Sequence, residues 1–182
     1  MRNEHDRFSA TQRVLHWLMA IMVLAMLFIG VAMVSTLKPG FLVLIAIHKP
    51  LGIAILALAL LRLAVRLRLG APPLPDDLPW PQVLAARLSH IVLYALLIAM
   101  PLVGWGMLSA GGYPIVLYGF LHLPAILPHD DRLHALLLTT HIVLAYMFFA
   151  TILLHVAAAL FHALIRRDDV FRAMAGIGPR NQ

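Results

Sequence analysis

Four long apolar segments dominate the chain, each bordered by charged, proline or glycine residues. They cover residues 11–34, 41–67, 83–108 and 133–165. Each is longer than the roughly 20 apolar residues that an α-helix needs to cross a bilayer. Backbone polar groups must be satisfied internally in lipid, so these segments are predicted to be helices. The pattern therefore predicts an all-α membrane protein with a four-transmembrane-helix bundle.

Two connections between these segments carry prolines that oppose a continuous helix. Residues 71–81 contain five prolines, and we expect an extended surface loop there. Residues 113–129 are apolar but are interrupted by Pro114, Pro124 and Pro128. This segment is long for a plain connection. It is predicted to form a short interfacial helix or a re-entrant cover at one membrane face.

Composition supports a membrane protein and narrows its chemistry. Hydrophobic residues make up 62% of the chain and charged residues only 12%, which is typical of integral membrane proteins. We expect residues 1–182 to form a single transmembrane domain. The absence of cysteine excludes disulfides, iron–sulfur clusters and thiolate metal sites. The net charge of +6 comes from basic residues that flank apolar segments, so no nucleic-acid partner is expected.

The basic residues are distributed unevenly between the two sides of the predicted bundle. One side holds both termini and the 71–81 loop and carries eleven basic residues, whereas the other side carries three. The three are Lys38, Lys49 and Arg132. Because positive charge collects on the cytoplasmic side of membrane proteins, both termini are predicted to be cytoplasmic.

Four histidines of the last apolar segment are spaced by 7, 14 and 7 residues: His134, His141, His155 and His162. Seven residues advance an α-helix by nearly two full turns, so all four share one face. His141 and His155 are about 21 Å apart along the axis, and both fit within the roughly 30 Å apolar layer. Ionisable side chains inside a membrane usually serve function.

The other apolar segments each contribute one histidine, and the set divides between the two halves of the membrane. The inner, cytoplasmic half holds His16, His90, His155 and His162. The outer half holds His48, His134 and His141. The remaining histidines, His5, His122 and His129, are expected to be loop residues without a special role.

A b-type haem between helices takes one axial imidazole from each of two helices, and this ligation favours electron transfer. The outer assignment is His48 with His141. For the inner site His16 is one ligand, and the spacing leaves its partner open between His155, His162 and His90. A metal transporter lined by histidines is the contrasting interpretation. The absence of Asp and Glu from all four apolar segments argues against a cation path.

The histidines and the residues around them resemble the prokaryotic cytochrome b561 family along nearly the whole chain. The matching residues, in order, are Arg13-Val14-Leu15-His16-Trp17-Leu18, His48-Lys49-Pro50-Leu51-Gly52, Ser89-His90 with Tyr94 and Pro101, His141, His155 with Ala157-Ala158-Ala159, and Arg167-Asp168-Asp169-Val170-Phe171-Arg172. The ordered set is specific, although no single motif is. The resemblance implies a multi-pass protein of the bacterial inner membrane.

The resemblance also implies two b haems and their ligands. The family's pairs correspond to His16 with His155 and to His48 with His141, which selects His155 for the inner site. His90 and His162 match other family histidines, which implies contacts with haem propionates or with a quinone headgroup. Oligomeric state is not implied.

The best-understood bacterial members of the family look like superoxide:ubiquinone oxidoreductases, and the resemblance to them implies superoxide oxidation at the outer face and ubiquinone reduction in the membrane. Lys38, Lys49 and Arg132 are candidates for attracting the anion. The alternative is a haem-carrying electron-transfer subunit that serves a dehydrogenase or hydrogenase-type partner and has no substrate site of its own.

Overall fold

A computed structural model describes residues 7–36, 39–75, 77–117 and 119–177. Four long helices form the body of the protein: α1 (Ala10–Ser35), α2 (Gly40–Leu69), α3 (Trp80–Ala110) and α4 (Asp131–Leu160). Each is long and apolar enough to cross a membrane. The predicted all-α class and the four predicted spans are confirmed, with ends that differ by only a few residues.

Side-chain caps fix where the first and last of these helices begin. The Ser9 hydroxyl oxygen accepts the backbone N–H of Gln12, and the Gln12 side-chain oxygen accepts the backbone N–H of Ser9. The two hydrogen bonds form a capping box. Asp130 caps α4 by accepting the backbone N–H of Leu133 at 2.9 Å. Both caps satisfy N–H groups that the first turn of a helix leaves without partners.

The described residues of the proline-rich connection between α2 and α3 have no regular secondary structure, and the Leu78 N–H donates to the Pro75 carbonyl at 3.1 Å in a turn. The connection ends earlier than predicted. The helix α3 begins at Trp80 and carries Pro81 in its first turn. Proline is tolerated there because the N–H that it lacks would have no partner within the helix. The last two residues of the predicted loop therefore belong to α3.

The connection between α3 and α4 forms a small β-hairpin. Of the two structures predicted for residues 113–129, the interfacial helix was wrong, whereas a re-entrant cover stays a prediction. The strands β1 (Ile115–Leu117) and β2 (Leu121–Leu123) pair antiparallel, with Val116 opposite His122. Gly119 adopts a positive φ of 79° at the third position of the turn, a conformation that glycine adopts without strain. Ile115 and Leu117 are buried, and β1 packs against α2.

The helix α4 ends in a π-helical turn, Phe161–Arg166, which a short helix α5 (Asp169–Ala175) follows. Between them Arg167 takes the left-handed conformation, with φ 57°. Asp168 then caps α5 by accepting the Val170 N–H at 3.1 Å. The chain reverses here, so α5 lies against the start of α1, where the Trp17 indole N–H donates to the Met174 carbonyl at 3.2 Å.

A cluster of buried apolar side chains lies midway between the two ends of the bundle. Its buried members come from all four helices: Met19, Val23, Ile55, Ala59, Leu96, Leu97 and Phe148. We call this cluster the middle layer. Close backbone packing joins helices that follow one another, α1 with α2, α2 with α3 and α3 with α4. Between α1 and α4, and between α2 and α4, the described residues make at most isolated close approaches.

Candidate functional site

The outer histidine pair joins α2 to α4. The rings of His48 and His141 have centroids 6.2 Å apart, with planes at 67°. Nδ1 of each ring is buried and has no hydrogen-bond partner among the described residues. A buried polar atom without a partner is costly. The contact between the two rings therefore leaves both buried Nδ1 atoms without a hydrogen bond.

Gly104 on α3 makes room for this pair. A Cβ atom at this position would lie 3.3 Å from Cε1 and 3.5 Å from Nδ1 of His141. The distance to Cε1 is shorter than ordinary van der Waals contact. Glycine therefore allows the His141 imidazole to lie directly against the backbone of α3.

The inner histidine pair joins α1 to α4. The rings of His16 and His155 have centroids 6.4 Å apart, with planes at 62°, so this pair closely repeats the outer pair. A third imidazole, that of His90 on α3, lies 5.7 Å from the His155 ring. Of the three partners that the sequence left open for His16, the structure brings His155 and His90 close.

His162, the third candidate partner, lies in a charged cluster at the end of α4. Its Nδ1 is 2.7 Å from Oδ2 of Asp168, which also accepts from Nε of Arg166 at 2.8 Å. Arg166 in turn bridges to Asp77 on the connection between α2 and α3 at 2.7 Å. Among the described contacts, the only ring that His162 meets belongs to Phe161. The structure thus separates His162 from the inner pair.

The arrangement fits the ligation of iron by two imidazoles at each level. Metal–imidazole bonds of about 2.0–2.1 Å, with roughly 1 Å from each bonded nitrogen to its ring centre, place two ring centres about 6 Å apart. Both observed separations agree with that figure. Each pair also spans two helices that do not pack closely on each other. The donor set, neutral imidazole facing imidazole, is the one that b-type haem uses for electron transfer.

The two pairs are held apart by the middle layer. His141 and His155 are about 21 Å apart along α4, and the buried Phe148 lies midway between them in sequence. The predicted placement of two imidazoles at two depths of one helix therefore corresponds to two separate levels of the bundle.

Polar groups surround the inner pair. Nη2 of Arg62 donates to Nδ1 of His16 at 2.9 Å, and the same guanidinium lies 5.3 Å from the centre of the Tyr94 ring. His90 donates from Nδ1 to the Ala86 carbonyl at 2.6 Å. Arg62, His90 and Tyr94 also line a cavity of about 280 Å³.

The other histidines of the outer end bind backbone carbonyls of α3. His134, in the first turn of α4, donates from Nδ1 to the Met107 carbonyl at 2.8 Å, and His129 donates to Ala110 at 2.9 Å. His122 is exposed on β2. Of the three basic residues predicted for the outer side, Lys49 is half-buried and Arg132 is exposed, whereas Lys38 lies outside the described residues, as does His5.

Sequence reasoning did not identify the contact between Arg62 and His16, although a signal was present. His48 and Arg62 are separated by 14 residues, the same interval as His141 and His155. Fourteen residues bring a helix back to nearly the same face. On α2, as on α4, this interval marks one residue at each histidine level.

Known proteins resemble the chain along nearly all of its length. Its residues 7–176 match a family model described as prokaryotic cytochrome b561. A Yersinia pestis protein named probable superoxide oxidase CybB is 31% identical, over 93% of this chain and 96% of that protein. Cytochrome b561 homolog 2 of Escherichia coli strain K12 is 31% identical, over 96% of this chain and 94% of that protein. Cytochrome b561 homolog 1 of the same strain is 30% identical, over 93% and 97%.

The family match covers most of the chain, and the described residues contain four helices long and apolar enough to cross a membrane. Together they support a multi-pass bacterial membrane protein of electron transfer, and the family implies b-type haem. The protein belongs to the prokaryotic cytochrome b561 family.

Proposed function

We propose that this protein is a dihaem cytochrome that carries electrons across the bacterial inner membrane. His48 and His141 hold the outer haem, and His16 and His155 hold the inner haem. The observation that carries the proposal is the near-identity of the two pairs, with centroid separations of 6.2 and 6.4 Å. Haem b bound at these positions supplies reversible one-electron oxidation and reduction.

The inner pair faces the cytoplasm in this proposal, and both termini lie there. The eleven basic residues assigned to that side support this orientation, against three on the other. Arg62 and Arg66, on the last turns of α2, lie at the level of the inner pair and beyond it.

The substrates that we propose are superoxide at the outer face and ubiquinone near the inner pair. Each superoxide gives up one electron and leaves as O2, and two such electrons with two protons convert ubiquinone to ubiquinol. Lys49 follows His48 directly in the chain and offers positive charge beside the outer pair. The name of the Yersinia pestis relative agrees with the superoxide half of this proposal.

His90 is the residue best placed to serve the quinone, because it contacts the His155 ring and lines the cavity. The two ring nitrogens of a histidine can donate and accept hydrogen bonds, which suits contact with a quinone headgroup. His162 pairs with Asp168 at 2.7 Å, away from the inner pair. Propionate contact by either histidine stays a prediction.

A haem-to-protein ratio tests the cofactor part of this proposal. Purified protein should contain two haems b per chain, with low-spin absorption bands. One haem per chain would contradict the two-level assignment, and a colourless protein would contradict haem binding altogether.

A mixing experiment tests the substrates. Superoxide added to the oxidised, purified protein should reduce its haem, and a soluble ubiquinone analogue should reoxidise it. Added superoxide dismutase should abolish the reduction, which is the control. Failure of both steps in fully haem-loaded protein would favour the second candidate, a subunit that serves a partner.

One observation favours that second candidate. The outer connection exposes large apolar side chains, with Tyr113 56% and Phe120 77% exposed. Exposed aromatic residues of this kind occur where proteins dock. Co-purification with a dehydrogenase, lost in Phe120→Ser, would support this function.

A further inference from the structure

The cavity at the inner end of the bundle has an unusual charge. It encloses about 280 Å³ between the ends of α1, α2 and α3, and α5 borders it through Met174. Arg62 and Arg66 both line it. We call it the inner cavity. It presents two guanidinium groups within a membrane-spanning helix, where unpaired charge is costly.

Neither arginine has a carboxylate partner among the described residues. The contacts of Arg62 are the His16 imidazole and the face of Tyr94, and Arg66 lies over the Phe8 ring at 5.1 Å. A cation–π contact stabilises a desolvated guanidinium less than a negatively charged partner does.

The described carboxylates all have partners elsewhere. Asp77 and Asp168 bind Arg166, Asp169 lies 3.7 Å from Arg172, Asp131 lies 4.0 Å from His129, and Asp130 caps α4. The two arginines of the inner cavity are therefore available for an anion that comes from outside the described chain.

The walls of the inner cavity are mostly apolar, which favours an anionic group that belongs to an apolar molecule. Phe8, Leu63, Ile91 and Met174 make most of the lining apolar. An apolar pocket with a few convergent polar groups is typical of ligand sites. Basic pockets between transmembrane helices on the cytoplasmic side also bind anionic head groups.

We propose that the inner cavity binds an anionic group, carboxylate or phosphate, of an apolar molecule through Arg62 and Arg66. Two molecules in such a membrane carry this chemistry. One is the haem of the inner pair, whose propionates are carboxylates, and this source rests on the proposed function. The other is an anionic phospholipid, and this source does not.

The contact between Arg62 and His16 links the anion to the inner pair. A guanidinium only donates hydrogen bonds, so Nδ1 of His16 must accept and the imidazole proton lies on Nε2. An anion held by Arg62 and Arg66 would therefore also act on the inner pair, through the guanidinium that donates to His16.

Arg66→Gln is the variant of choice, with Arg68→Gln as its matched control. Both remove one positive charge from the last turn of α2, but Arg68 is exposed and does not line the inner cavity. Arg62→Gln is the second variant and removes the contact with His16 as well. Each is compared with the unmodified holoprotein, purified in mild detergent.

Two measurements separate the sources. Resonance Raman spectra report the propionate bending band of the haem, and native mass spectrometry reports bound phospholipid. A shifted propionate band in Arg66→Gln and Arg62→Gln, but not in Arg68→Gln, supports the carboxylate source. Loss of a bound phosphatidylglycerol or cardiolipin mass in the same two variants, but not in Arg68→Gln, supports the phosphate source.

The proposal is overturned if neither readout changes in Arg66→Gln, or if Arg68→Gln changes both readouts as much as Arg66→Gln does. Absence of haem from the unmodified protein would contradict the proposed function alone. The phospholipid measurement would then still decide whether the inner cavity holds an anion.

Discussion

At the outer end of the bundle, His48 and His141 face each other with buried Nδ1 atoms that lack hydrogen-bond partners among the described residues. At the inner end, His16 and His155 face each other at nearly the same separation, but within reach of other polar groups. Arg62 contacts His16, and His90 contacts His155. The two ends thus share a geometry and differ in their electrostatic surroundings.

Under the proposed function, this difference suits the two ends of the bundle to different tasks. The Nδ1 atoms of the outer pair make no hydrogen bond to the described residues, so no side chain there is placed to exchange a proton with them. A pair beside arginines, a histidine and a cavity has groups that bind anions and move protons. Under the proposed function, electrons enter at the outer end, and the inner end couples them to other species.

Removal of a single paired histidine should have the largest effect and would break the comparison most directly. His48→Ala or His141→Ala should lose about one of two haems, the outer one, because one axial bond cannot hold it. His16→Ala or His155→Ala should lose the inner one. Haem-to-protein ratios and redox titration distinguish the two. If His155→Ala kept both haems while His90→Ala lost one, the inner pairing would be wrong.

A bulky residue at Gly104 should damage the outer end alone. In Gly104→Val the new side chain would collide with the His141 ring, which lies 3.3 Å from the position of an added Cβ. We expect a several-fold loss of outer haem and an unchanged inner haem, measured by redox titration. Gly30→Val is the matched control, since nothing lies within 4 Å of its added Cβ. Equal loss in both variants would contradict a specific role for Gly104.

Truncation of Phe148 should affect both ends alike, because the residue lies in the middle layer. Phe148→Ala should lower the free energy of unfolding by about 3–5 kcal/mol, the usual cost of such a cavity. Thermal unfolding in detergent, followed by haem absorbance, measures it. Phe149→Ala is the control, since Phe149 is 46% exposed. Loss of one haem before the other would show that the layer supports the two ends unequally.

Loss of the Asp168 charge should have the smallest effect and should be confined to the inner end. Asp168→Asn keeps a capping oxygen for α5 but weakens the pairing with His162 and Arg166. We expect the free energy of unfolding to fall by about 1–3 kcal/mol, because the variant weakens hydrogen bonds to a largely buried charge. Limited proteolysis should cut faster near the start of α5. Asp169→Asn, at a 52% exposed side chain, should cut at the unmodified rate.

The four spans could be predicted from sequence because their signal is local. Apolar length and the charges at each end define a membrane helix, and both can be read without knowledge of the fold. The shared face of His141 and His155 also follows from helix periodicity alone. The hairpin at β1 and β2 could not be predicted in this way, because its strands are three residues each and depend on packing against α2.

The side-chain contacts at the inner end of the bundle were predicted only in part. Periodicity places His155 and His162 on one face, but it cannot show that the chain reverses at Arg167 and ties His162 to Asp168. The contact between Arg62 and His16 joins residues that are 46 positions apart. Such pairs depend on how helices dock, and spacing within one helix does not determine docking.

The middle layer has an electrical consequence. Its side chains are apolar, so it offers no relay of hydrogen bonds for protons between the two histidine levels. Under the proposed function, charge crosses this barrier as electrons alone, inward against a membrane potential that is negative inside. Each such crossing stores about 2.3 kcal/mol per 100 mV for the full membrane thickness. Turnover in sealed vesicles should therefore slow as that voltage builds and recover when an ionophore collapses it.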